Sequence, residues 1–207
     1  MQDNTNNAFD HQAATWEDNP QRVTLARCVA QAISRAIPIT PKMEAMEYGC
    51  GTGLVSRNLA PFVKQITAID SSGAMLAILE QKAEEEKLAN LKTVKMDFAQ
   101  PQTLSQQFDL LFCSMTLHHI PDLDHLLTRF WSLLQPGGFL ALADLEPEDG
   151  TFHEDNLGVA RYGLDPLKLS NRLTEMGAIN GKRQTIHTLS KNGREYPVFL
   201  VTCQKSR

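Results

Sequence analysis

Apolar residues in the first forty positions recur at helical spacing, whereas from Met43 onward short apolar runs alternate with amphipathic stretches. Phe9, Ala13 and Trp16 share one helical face, and Pro20 then opens a second helix with Leu25, Val29, Ile33 and Ala36 inward. The remainder predicts a strand into a glycine turn, a helix near Leu54–Leu59, a strand ending at Asp70 and a helix from Gly73 to about Lys87. Strands follow over Leu91–Lys95 and Phe108–Cys113, then a helix with Leu123, Leu126, Leu127, Phe130 and Leu134 inward, then the apolar strand Phe139–Ala143. Such alternation implies an α/β fold, a parallel sheet wrapped by helices on both faces. Asp165-Pro166 reads as an N-cap with proline at the first helical position; Leu169, Leu173 and Met176 form one apolar face and Gly177 ends the helix. Two strand-like runs flank Asn192-Gly193, a favoured hairpin turn, so an antiparallel pair is expected at the sheet edge.

A chain of 207 residues suits one domain. Cys28, Cys50, Cys113 and Cys203 are dispersed without C-x-x-C spacing, which suggests neither a disulfide framework nor a zinc site and fits a reducing cytoplasm. The polar start Met1–Asn7 lacks the order of a signal peptide, and no apolar run reaches membrane-spanning length, so a soluble cytoplasmic protein is expected. With a net charge of −4 and scattered Lys and Arg, the chain offers no evident track for nucleic acid.

The chemistry concentrates in Glu47-Tyr48-Gly49-Cys50-Gly51-Thr52-Gly53, answered by Ile69-Asp70 one strand–helix–strand unit later. Glycines permit a turn too tight for side chains and let a ligand lie against the main chain, while a carboxylate ending the next strand can accept from both ribose hydroxyls. The spacing is G-x-G-x-G, not the G-x-G-x-x-G of a dinucleotide site, which a nucleoside ligand without pyrophosphate explains.

Together with Glu47, this turn resembles motif I of the class I, Rossmann-like S-adenosylmethionine-dependent methyltransferases. Ala68–Met75 resembles the second motif, and Lys95-Met96-Asp97-Phe98 the third. Phe108–Asp122 resembles the fourth strand and exit loop of the branch that includes ubiquinone and menaquinone methyltransferases, and Leu134–Leu140 the turn that follows. The resemblance runs from about Met43 to Asp144, with Glu47 where the family commonly has Asp. It implies a Rossmann-like, mostly parallel seven-stranded sheet with an antiparallel C-terminal hairpin. It also implies S-adenosyl-L-methionine as cofactor, a small-molecule acceptor, and a donor site made by Glu47, Gly49, Cys50, Gly51, Gly53, Asp70, Ser71, Met75, Asp97, Phe98 and Cys113. Residues 1–42 are expected to form a helical segment over that site, and residues 43–207 the core.

Methyl transfer from a sulfonium mainly requires alignment of donor and acceptor and exclusion of water. Where a base helps, the candidates are His118 and His119 after the fourth strand and His153 after the fifth. His118, His119, Asp122, Asp124 and His125 also invite a metal reading, set aside because Asp122 is placed to cap the next helix and no helical metal motif is present. Leu145–Gly163 is too long for an ordinary link and is the expected specificity segment, opening with the acidic Glu146, Glu148 and Asp149. Trp16 is either a cover over the donor or a core contact. Two rival functions stay open: a nicotinamide-dependent oxidoreductase, and a binding protein that keeps the donor pocket without turnover.

Overall fold

The computed structural model describes residues 9–98 and 104–207. Residues 9–12 are helical and run into a 3-10 turn over Ala13–Asp18. Helix α1, Pro20–Ala36, starts where the Asn19 side chain accepts from the Gln21 amide, and it buries Leu25, Val29 and Ile33. The strands are β1 (Glu44–Tyr48), β2 (Gln65–Asp70), β3 (Leu91–Lys95), β4 (Phe108–Ser114), β5 (Leu134–Leu145), β6 (Ala178–Lys191) and β7 (Arg194–Lys205). Between them stand α2 (Leu54–Leu59), α3 (Gly73–Glu85), α4 (Leu123–Leu133) and α5 (Pro166–Glu175).

All seven strands form one sheet in the order β3-β2-β1-β4-β5-β7-β6. The pairs from β3 through β5 are parallel, and β7 pairs antiparallel with both β5 and β6. Alternate residues of the central strands feed opposite faces. Leu110, Phe112, Ala141 and Ala143 pack with α1 and α2, whereas Leu111, Cys113, Leu140 and Leu142 pack with α4 and α5. Chain order reverses between β1 and β4, which opens a crevice at the carboxyl ends of those strands.

Two boundaries differ from the sequence reading. Helix α3 stops at Glu85, because Lys87 turns left-handed at φ 57° and Leu88 donates back to the Ala83 carbonyl. Leu134 is buried as expected, but it caps α4 and opens β5 opposite Phe108 rather than extending the helix. The hairpin tip carries Asn192 and Gly193 at φ 52° and 73°, as a primed two-residue turn requires. Strand β6 breaks register between Ile179 and Lys182 and again between Thr185 and His187. Among the described residues, no helix is long and apolar enough to cross a membrane.

Candidate active site

The glycine turn leaves β1 at the crevice, with Gly49, Gly51 and Gly53 all at positive φ. A Cβ on Gly53 would sit 2.2 Å from the Leu79 side chain. A Cβ on Gly51 would meet only Met75 Sδ and Trp16 Nε1, both at 4.0 Å, so above Gly51 lies a hollow between a thioether and an indole. Thr52 Oγ1, buried in the same turn, has no hydrogen-bond partner among the described residues. Asp70 Oδ2 accepts from the Gly51 amide at 2.7 Å and Oδ1 from the Ser72 amide at 2.9 Å, so the carboxylate is fixed while each oxygen keeps further acceptor capacity. Burial raises the Asp70 pKa, against the lowering effect of the Ser72 and Gly51 amides. Ser71 is half-buried beside it and Met75 is buried. These features fit a nucleoside laid on bare backbone with its ribose toward Asp70.

Other expected donor-site residues support the turn from beneath. Glu47 Oε2 accepts from the Ser56 amide at 3.1 Å and from the Ser56 hydroxyl, tying β1 to α2, and burial lifts its pKa to about 8. Cys50 and Cys113 are buried, and burial pushes both thiols well up. The Phe98 ring stacks on Tyr48 at 4.8 Å inside the core, which leaves its backbone rather than its side chain to face a ligand. Asp97 is half-buried at the end of the described stretch, near enough to Tyr48 to add to the rise that burial imposes on that hydroxyl.

The acceptor-side candidates converge. His118 and His119 lie in the 3-10 turn Leu117–His119 directly after β4. His118 Nδ1 is 2.6 Å from Asp144 Oδ1, and its amide donates to Asp144 Oδ2 at 3.2 Å. His119 Nδ1 meets the Gly158 carbonyl at 3.0 Å. His153 arrives from the loop after β5, its ring centroid 5.0 Å from that of His118 and 5.5 Å from that of His119. Desolvation, then the neighbouring imidazoles, lower His119 and His153 to about 4, so both are neutral at pH 7. The local metal reading does not assemble: Asp122 accepts from the His125 amide at 2.9 Å as the α4 cap, and Asp124 pairs with Arg172 at 2.6 Å.

The loop after β5 is stitched down. Glu148 Oε2 accepts from the amides of Gly150, Thr151 and Phe152 at 2.8, 2.9 and 3.2 Å. Asp149 pairs with Arg194 at 2.6 Å, and Glu146 accepts from the Thr185 hydroxyl at 2.7 Å. The acidic run is therefore spent on the loop's own structure. Ala160 and Arg161 amides donate to the His118 carbonyl at 2.9 and 3.1 Å, and the Arg161 guanidinium donates to the Leu117 and Pro121 carbonyls.

A bridge from the N-terminal segment joins the two halves. Phe9 sets its ring edge-on to His119 at 5.3 Å and to Trp16 at 6.1 Å, and Trp16 faces Gly51. Arg22 stacks on Trp16 at 3.7 Å, and Asp10 accepts from the Ser72 hydroxyl. The sequence reading missed Phe9 as a site neighbour, Asp10 and, above all, Asp144. Its signal was present, since an acid in the apolar run Phe139–Leu145 needs a buried partner.

A family model described as a methyltransferase domain matches residues 46–142. Trans-aconitate 2-methyltransferase of Deinococcus radiodurans is 34% identical over 192 residues, which cover 83% of this chain and 69% of that protein. The chain belongs to the class I S-adenosylmethionine-dependent methyltransferases. An uncharacterized methyltransferase of Schizosaccharomyces pombe is also 34% identical, over 135 residues, and there the match spans 58% of this chain but about half (48%) of the relative. The structure of DhpI in complex with SAH has the same fold, with a TM-score of 0.73 at 21% identity over 97% of this chain and 95% of that one. Membership makes S-adenosylmethionine the cofactor and disposes of the nicotinamide alternative that the glycine spacing had already disfavoured.

Proposed function

We propose that this chain transfers a methyl group to a small-molecule acceptor bound between the glycine turn and the cluster of His118, His119 and His153. The observation that carries the reading is that convergence: three imidazoles from two loops meet at the carboxyl edge of β4 and β5, joined through Phe9 and Trp16 to the hollow over Gly51. When bound, S-adenosylmethionine supplies an electrophilic methyl on a sulfonium. Gly51 and Met75 would seat its nucleoside, and Asp70 would hold the ribose. Phe9 and Trp16 keep water from the junction of the two halves. The neutral imidazoles of His119 and His153 can accept a proton from an acceptor hydroxyl or thiol, while Asp144 orients the ring of His118. The loop after β5, anchored to the turn of His118 and His119, suits a small acceptor, as does the substrate in the name of the Deinococcus radiodurans relative.

The test is release of S-adenosylhomocysteine from purified protein offered fractionated metabolite extracts, with trans-aconitate as the first single compound. An acceptor fraction should be found, His153→Ala should lose turnover while keeping S-adenosylhomocysteine affinity, and Asp70→Ala should lose that affinity by about 30- to 100-fold through its ribose bonds. Unchanged donor affinity in a folded Asp70→Ala protein would sink the ribose assignment. Full turnover in His153→Ala would sink the acceptor site.

A further inference from the structure

We propose that His118, His119 and His153 form a divalent-metal site of the zinc type, open toward the acceptor. One ring nitrogen from each lies within 4.8 Å of the corresponding nitrogens of the other two. Around a tetrahedral ion at roughly 2.0–2.1 Å the nitrogens would stand about 3.4 Å apart, so closure needs them to approach one another by up to about 1.4 Å.

The surroundings are those of orienting partners for ligands. His118 Nδ1 is engaged by Asp144 and His119 Nδ1 by the Gly158 carbonyl, an arrangement that fixes the tautomer and leaves Nε2 as the free nitrogen of each ring. His118 Nε2 and His153 Nε2 are buried and have no hydrogen-bond partner among the described residues. Buried ring nitrogens left unpaired are costly, and an ion at their focus would satisfy them together. Asp144, in contact with His118, supplies nearby negative charge. Three imidazoles without a ligating carboxylate exclude Mg2+ and Ca2+, and three protein ligands with an open fourth position are the pattern of a catalytic rather than a structural Zn2+.

This inference rests on the acceptor-pocket reading for its use but not for its existence. An acceptor hydroxyl or thiol taking the fourth position would lose its proton to solvent more readily. Its electron pair forms the bond to the methyl carbon, and the pair of the donor's C–S bond remains on sulfur, giving S-adenosylhomocysteine. In that arrangement the histidines would serve as ligands, not as proton acceptors.

The experiment uses the full chain without an affinity tag, stripped with a chelator and titrated with Co2+ and then Zn2+. One equivalent of Co2+ should give the visible absorption of a tetrahedral centre, and one equivalent of Zn2+ should abolish it. His153→Ala and His119→Ala should each weaken Zn2+ binding by at least about 100-fold. Asp70→Ala should keep the Co2+ spectrum while losing S-adenosylhomocysteine binding. Absence of a saturable tetrahedral Co2+ spectrum in the wild-type chain overturns the proposal, and so does wild-type Zn2+ affinity retained in both histidine variants, which would place the ion at His11, His125 or His187. If S-adenosylhomocysteine binds but metal does not, this inference falls alone. If metal binds stoichiometrically but no acceptor is methylated, the site stands and the proposed reaction falls.

Discussion

Gly51 and Gly53 stand two positions apart, both left-handed, yet an added methyl should harm them differently. At Gly53 it would collide with Leu79, so Gly53→Ala combines backbone strain with overpacking and should cost about 2–4 kcal/mol, read as a thermal shift of several degrees. Gly51→Ala meets no wall within 4.0 Å and should cost only about 1–2 kcal/mol of strain. It should nevertheless lose donor affinity by calorimetry, because its methyl projects into the hollow. Glu47 carries a test in pH. Its folded pKa near 8 lies above the ordinary 4.5, so across that interval the native state holds a proton the unfolded chain has released, and stability falls as pH rises. His119 and His153, depressed from 6.5 to about 4, act oppositely, adding stability as pH rises to about 7.5. Urea titrations at pH 6.5 and 8 isolate Glu47 by difference: over that interval the wild type should lose about 2 kcal/mol relative to Glu47→Gln. At this scale the sequence was partly readable. Gly51 and Asp70 announce themselves by spacing, but no spacing reveals that Glu47 is spent on Ser56 or that Asp144 braces His118.

Two irregular elements shape the site more than any helix does. The loop after β5 hangs on Glu148, whose single oxygen gathers three amides, and it also delivers His153 and the Gly158 carbonyl to the cluster. Glu148→Ala should raise hydrogen exchange across Gly150–Phe152 while β4 and β5 stay protected, and the same variant should lose turnover through misplacement of His153. The segment 9–18 rests on aromatic edges and on the pairs of Glu17 with Arg57 and Asp10 with Ser72. In a Trp131→Phe background, Trp16 becomes the only indole, and its fluorescence should change on adding S-adenosylhomocysteine. An unaltered spectrum at saturation would mean that Trp16 is a packing residue and does not border the donor. The sequence marked the loop as too long and Trp16 as ambiguous. It could not show that His153, 34 positions after His119, closes the cluster, because such proximity depends on how two loops lean together.

On the scale of the whole molecule, the succession of strands and helices along the chain was legible because apolar runs and turn residues agree from Met43 to the final hairpin. The departures sit where short-range preference yields to pairing, as at Leu134, which continues an apolar helical stripe in sequence but is claimed by Phe108 across the sheet. The net charge of −4 predicts no mobility shift of tRNA or duplex DNA at physiological salt, and a complex that dissolves steeply with added salt would contradict that. The register breaks in β6 bear on the fate of concentrated protein. This fourteen-residue strand is the outermost of the sheet, mostly exposed, with backbone groups facing outward that could recruit a strand from a neighbouring chain. Asn180 at φ 56° and the break at Lys182, followed by a second at Thr185, interrupt the straight ladder such recruitment needs, and Lys182 and Arg183 add like charge to every copy. The edge is thus a poor seed for fibrils, a safeguard carried at the rim of the sheet, three strands from β4 and the crevice it borders.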